Sequence, residues 1–158
     1  MSICYVDTTV GRLAIEADHD AVTAVRWASP QEHVGEWTRD KTPSPVLKEA
    51  TRQLKRYFAG KLKAFDLKLA ARGTDYQKRV WKLMSDIPYG ETATYGGMAM
   101  ALGSGQRAVG MACGRNPLPI VVPCHRVLAS GGREGGYSGG QGLKTKHKLL
   151  ALEGVVLR

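Results

Sequence analysis

The stretch that most restricts this chain is Pro117-Leu118-Pro119-Ile120-Val121-Val122-Pro123-Cys124-His125-Arg126-Val127-Leu128. It is apolar and β-branched enough to be buried, yet its prolines remove backbone donors and fix φ, so neither a central strand nor an ordinary helix can accommodate it. It reads as buried irregular chain that the rest of the fold must surround. Cys124 stands in it beside His125 and Arg126. Only the thiolate is strongly nucleophilic, and neighbouring basic or cationic groups raise its fraction, so the trio suits an activated cysteine. A buried structural cysteine is the competing reading, and on residue type alone it is the commoner one. If the segment is extended, adjacent side chains point to opposite sides, and a proton passing from Cys124 to His125 is expected to travel through a bridging water.

Around that segment the hydrophobic pattern divides the chain in two near residue 73. Ile3 to Asp7, Gly11 to Ala17 and Val22 to Trp27 read as short antiparallel strands, and Ala64 to Ala70 reads as one more. Ser29 to Pro45 is polar and proline-bearing and suits a loop, after which Val46, Leu47, Ala50, Leu54, Tyr57 and Phe58 recur at helical spacing up to Gly60. Thr74 with Gln77 forms a capping-box pattern just before Val80, Trp81, Met84 and Ile87, which predicts a helix from about Asp75 to Ser85. Tyr95, Met98, Ala99 and Leu102 predict a short helix ending at Gly103, and Arg107 to Cys113 a second one with Val109, Ala112 and Cys113 on its buried face. The expected class is α+β: a small N-terminal antiparallel sheet with a helix, residues 1–72, packed on a mostly helical C-terminal domain, residues 73–158.

Two short helices joined by a glycine turn, at about 94–114, suggest a helix-turn-helix. Ala108, Gly110 and Met111 leave the outer face of the second helix nearly bare, so it can approach a DNA groove, with Arg107 and Arg115 at its ends able to reach phosphates or replace a base. The alternative is that small residues merely let two helices pack closely. A balance of 23 Lys and Arg against 14 Asp and Glu, net charge +9, favours a polyanionic partner.

From Gly131 to Gly142 seven of twelve residues are glycine, but the following Leu143-Lys144-Thr145 is not a P-loop, which argues against nucleotide hydrolysis. The segment suits either a wall closing over a bound base, with Tyr137 and Ser138 offering stacking and hydrogen bonds, or a plain surface loop. Lys144, Lys146 and Lys148 then add charge to the last helix. The three cysteines, Cys4, Cys113 and Cys124, carry no C-x-x-C, so reduced thiols and no metal site are expected, with His19 and His33 as surface residues. No apolar run is long enough to span a bilayer and no signal-peptide pattern opens the chain, so a cytoplasmic protein is expected.

Taken together, Ile87-Pro88-Tyr89-Gly90, Arg107-Ala108-Val109-Gly110, Asn116-Pro117, Pro123-Cys124-His125-Arg126-Val127 and Gly136-Tyr137-Ser138-Gly139-Gly140 resemble the O6-alkylguanine-DNA alkyltransferases, also called methylated-DNA–protein-cysteine methyltransferases. The likeness is close over residues 73–154; before residue 73 only the layout is similar. It implies a ribonuclease H-like N-terminal domain and a C-terminal domain that binds duplex DNA, flips out O6-alkylguanine, with O4-alkylthymine as a further substrate, and transfers the alkyl group irreversibly to Cys124 without a cofactor. In that picture His125 deprotonates Cys124 through water, Glu153 orients His125, Asn116 braces the segment 116–128, and Tyr95 donates toward the leaving guanine. The backbone around Val127 and Ser138 contacts the flipped base, Tyr137 walls the pocket, Arg107 fills the vacated stack, and Gln106, Ala108, Gly110 and Arg115 belong to the DNA face. A monomer is expected, with cooperative binding on DNA left open.

The stretch Leu102-Gly103-Ser104-Gly105-Gln106-Arg107 is shorter than the usual family form, in which a proline and small residues separate the Gly from the Arg, so a tighter turn is expected. Other functions remain on the table: a recogniser of alkylated DNA without chemistry, an alkylation-sensing DNA-binding regulator, or a thiol hydrolase. An intact Cys124 argues against the first, the absence of an added effector region against the second, and the lack of an evident oxyanion hole against the third.

Overall fold

A computed structural model describes residues 2–32 and 44–157. The chain divides into two compact units, 1–72 and 73–158. Among the described residues no helix is long and apolar enough to cross a membrane.

In the first unit, β1 (Ser2–Thr8), β2 (Gly11–Asp18) and β3 (Ala21–Trp27) form an antiparallel sheet in sequence order. Two-residue connections at Thr9-Val10 and His19-Asp20 make this meander, and Gly11, at φ 110, takes the left-handed conformation that the first turn requires. The helix α1 (Pro45–Phe58) starts where Ser44 caps Leu47 N and Pro45 occupies the first helical turn. Leu47, Ala50, Thr51, Leu54 and Tyr57 recur every three or four residues as its buried stripe. Thr51 meets β1 through a contact of 3.2 Å between its hydroxyl and Cys4 Sγ.

The strand expected over 64–70 shrinks to a single parallel bridge between Val22 and Leu69. Val22 N donates to Lys68 O and Ala70 N to Val22 O. Before that point the backbone of Asp66 exchanges both its hydrogen bonds with the Gln53 amide on α1. A side chain thus occupies the groups that a longer ladder would have used. Of the loop expected over 29–45, Pro45 already belongs to α1, and residues 33–43, including His33, lie outside the described residues.

The second unit begins with α2 (Asp75–Ser85), bounded where the sequence predicts. Thr74 accepts from Gln77 N while the Gln77 side chain accepts from Thr74 N, the reciprocal capping box. Val80, Trp81 and Met84 form its buried face. Then follow β4 (Ala93–Thr94), α3 (Tyr95–Leu102), α4 (Gln106–Gly114), β5 (Val127–Leu128) and α5 (Leu143–Leu152). The turn between α3 and α4 is short, as its sequence requires: Gly103 closes α3 at φ 64 and Gly105 is already the N-cap of α4. Trp81 Nε1 donates to Ala112 O at 2.8 Å, and the hydroxyls of Tyr76 and Ser104 meet at 2.8 Å, so α2 holds both α4 and the turn before it.

Between α4 and β5 the proline-bearing segment is buried irregular chain, as expected. Asn116 replaces missing ladder partners by accepting from Leu118 N at 2.9 Å and donating to Val122 O at 2.8 Å. Ile120 is buried with φ 75, a conformation that costs a β-branched residue on the order of 1–3 kcal/mol.

The capping box predicts a measurable loss: Thr74→Ala should lower stability by about 1 kcal/mol, read as a reduced midpoint in urea denaturation.

Candidate active site

The parallel pairing of β4 with β5, Ala93 opposite Val127 and Thr94 opposite Leu128, places the start of α3 beside the end of the proline-bearing segment. Tyr95 is the first residue of α3, capped by the Thr94 side chain on Gly97 N. Cys124, His125 and Arg126 occupy one turn of 3-10 helix, with Arg126 N donating to Pro123 O at 3.0 Å. The condition of an extended chain at Cys124, under which adjacent side chains would alternate, is therefore not met. Pro123 offers a carbonyl that closes a turn, and in such a turn successive side chains diverge by about 120° rather than alternating. Cys124 stays half-buried while His125 enters the core.

Cys124 lines a cavity of about 340 Å³ together with Tyr95, Gly110, Cys113, Gly114, Gly136, Tyr137 and Ser138. That is within the usual range for small-ligand sites. Gly110 and Gly114 stand one turn apart on α4, and Gly136 stands on the glycine-rich loop, so two of its sides carry glycine. Neighbouring Gly135 has φ 69, and a Cβ there would come within 3.0 Å of Tyr95 Cε2; glycine lets the loop lie against the phenol ring.

Burial pushes the Cys124 thiol up, opposed by Asn116, the positive charge of Lys146, its own backbone amide and the Tyr137 hydroxyl. Burial and the nearby thiols push Tyr95 up to about 12, so its phenol keeps its proton and is a donor. Cys113 is likewise pushed up to about 12, first by burial. His125 goes the other way: burial lowers it, against the opposing pull of Glu153. The imidazole is thus neutral at neutral pH.

Behind the thiol is a buried ionic cluster. His125 Nε2 meets Glu153 Oε2 at 2.7 Å, and Arg126 grips the same carboxylate with Nε at 2.7 Å and a terminal nitrogen at 3.0 Å. A carboxylate only accepts, so Nε2 carries the imidazole proton and Nδ1 the lone pair. That Nδ1 is buried and has no hydrogen-bond partner among the described residues. The other Arg126 nitrogen donates to Ile87 O at 2.6 Å, and its guanidinium lies 5.8 Å from the Tyr89 ring centroid. Glu153 is placed as the C-cap of α5.

The residues singled out in the sequence separate into two groups. Cys124, Tyr95, Gly110, Tyr137 and Ser138 converge on the cavity; His125, Glu153 and Asn116 support Cys124 from behind or beside it; Val127 is buried in β5. Gln106, Arg107, Ala108 and Arg115 do not reach the cavity and lie exposed along α4. Gln106 turns its amide over Gly96 of α3. The outer face of α4 is less bare than expected, because Met111 projects there at 59% exposure. Lys146, read as surface charge, is buried, with Nζ donating to Val127 O at 2.7 Å and Gly136 O at 3.1 Å. Neither its role nor that of Arg126 as partner of Glu153 was visible from spacing. Among the described residues no group of three or more His, Cys, Asp or Glu could hold a metal ion.

Two short helices joined by a tight turn, with a glycine-walled cavity that Cys124 lines against the second of them, are the features that known proteins can be compared on. The family model described as the DNA-binding domain of 6-O-methylguanine DNA methyltransferase matches residues 75–155, and the one described as its ribonuclease-like domain matches residues 2–71. The chain belongs to this family. A methylated-DNA–protein-cysteine methyltransferase of Methanosarcina acetivorans is 41% identical over 153 residues, covering 94% of this chain and 95% of the relative. One of Mycobacterium bovis is 43% identical over 152 residues, covering 94% and 89%. The crystal structure of Mycobacterium tuberculosis OGT in complex with DNA superposes with a TM-score of 0.81 at 43% identity, covering 94% of this chain and 90% of that one.

Removing the hub of the ionic cluster should be costly. Glu153→Ala leaves the Arg126 charge buried without its partner, and the expected destabilisation is about 3–5 kcal/mol by chemical denaturation.

Proposed function

We propose that the protein repairs DNA by direct reversal, with Cys124 as the acceptor that takes the alkyl group from O6-alkylguanine and keeps it. The observation that carries this reading is a half-buried thiol lining a cavity of about 340 Å³, followed in the same turn by a neutral imidazole whose Nδ1 is buried without a hydrogen-bond partner among the described residues. The methyltransferase names of full-length relatives support the same activity.

The sequence of events follows from the groups present. His125 Nδ1 takes the Cys124 proton through one bridging water, and Glu153 offsets the charge that the imidazole gains. The thiolate attacks the sp3 carbon on O6; the S–C bond forms as the C–O6 bond breaks, and its electron pair leaves with guanine. Guanine leaves poorly as a bare anion, and the protonated Tyr95 phenol supplies the proton or hydrogen bond it needs at N3. The thioether cannot revert, so each chain repairs one base. Asn116 braces the segment, Tyr137 helps wall the pocket, and the backbone around Val127 and Ser138 contacts the base.

The partner is DNA. Arg107, second residue of α4, fills the gap left by the extruded base, while Gln106, Ala108 and Arg115 lie along the duplex. Action on duplex substrate as a monomer, in the cytoplasm, completes the reading.

The experiment is intact-protein mass spectrometry after mixing with a duplex carrying one O6-methylguanine, followed by peptide mapping. One methyl per chain, on Cys124, is expected; tight lesion binding with an unmodified protein would instead point to a recogniser. Cys124→Ser should abolish transfer and retain binding. Because the His125 pKa is depressed, the imidazole is already neutral at its ordinary midpoint, so single-turnover transfer should hold through neutral pH and fall only on the acid side of about 6.5.

A further inference from the structure

Lys146 is a fully buried basic side chain, lowered from its ordinary range by that burial and held up by the charges of Cys124, Cys113 and Glu134, that the reaction described above does not use. Burying an ammonium is costly unless partners compensate it, so its surroundings identify its task. It forms no salt bridge with the described residues: Glu134 attracts it but is engaged by His147 at 2.8 Å. Its two partners are carbonyls from two separate segments, Val127 of β5 and Gly136 of the glycine loop. Val127 directly follows the Cys124 turn, and Gly136 belongs to the glycine loop that lines the pocket. A Cβ on Gly135 would stand only 3.5 Å from Nζ, so the ammonium lies close against that loop.

We infer that Lys146 is a positioning residue for alkyl transfer: its ammonium ties the glycine wall of the base pocket to the cysteine turn and supplies the positive charge that faces the Cys124 thiolate. The inference rests on Cys124 being the alkyl acceptor. Several titratable groups face this thiol. Cys113 comes from α4, Tyr95 from α3, Tyr137 from the loop, and His125 from its own turn. Among the groups acting on the thiol, Lys146 is the cation, whereas Arg126 is held by both oxygens of Glu153. The attraction is mutual, since the Cys124 charge favours the protonated lysine against its burial. Transfer ends it, because the thiolate pair enters the S–C bond and the sulfur becomes neutral.

The test is the pH profile of Cys124 carboxamidomethylation by iodoacetamide, followed by peptide mass spectrometry, in the unmodified sequence, Lys146→Met and Lys146→Arg. The reagent needs no DNA, and the midpoint of its pH profile reads ionisation of the thiol rather than access to it. The expected result is a midpoint raised by about one pH unit in Lys146→Met, a roughly tenfold loss of reactivity below it, and recovery in Lys146→Arg. An unmoved midpoint in a folded Lys146→Met would overturn the inference, even if methyl transfer slowed. Should Lys146→Met fail to fold, NMR of lysine labelled at Cε gives the reciprocal reading. The Lys146 titration should lie lower in Cys124→Ser than in the unmodified sequence, and coincident titrations would overturn the inference equally. Failure of the acceptor assignment would appear separately, as a methyl group mapped away from Cys124.

Discussion

The second unit depends on one carboxylate. Glu153, at the end of α5, is buried and shared between His125 and Arg126, so the last helix and the cysteine turn are fixed by the same pair of oxygens. A buried ion pair adds little net stability, because desolvation offsets most of the attraction. It does impose geometry: any other position of the turn leaves an uncompensated charge in the core. The Arg126 bond to Ile87 O extends that constraint to the end of α2. The nucleophile is thereby held by side chains far apart in sequence, on a segment whose prolines deny it regular backbone pairing.

The opposing shifts at the site follow from the same burial. Low polarity disfavours every charged form, raising the thiol and phenols and lowering the imidazole. The result is a resting state of neutral groups: a thiol, a phenol able to donate and an imidazole able to accept.

Local signals made much of the fold legible. The Thr74 and Gln77 pair marked the start of α2, Gly103 the end of α3, and the alternation of short apolar runs the three strands, because each depends on residues within a few positions of one another. The Pro-Cys-His-Arg run singled out Cys124 for the same reason. Glu153 and Lys146 act across gaps of 28 and 19 residues, and no periodicity records such pairings. Lys146 was masked further by exposed lysines on either side of it, which make the helix face look wholly solvated. The irregular course of the segment was legible from its prolines, which argue against strand and ordinary helix, but they are silent on the single 3-10 turn at Cys124. The strand at 64–70 was overcalled because the Gln53 side chain, not a neighbouring strand, takes the Asp66 backbone bonds.

The raised Cys124 thiol bears on how long a single-use reagent survives before use. A cell contains soluble electrophiles and peroxides that consume thiolates wherever they are exposed and ionised. A sulfur whose burial favours the protonated form is a slower target for them. The burial that makes the nucleophile harder to ionise therefore also preserves its shelf life, so that the one reaction available to each molecule is spent on DNA.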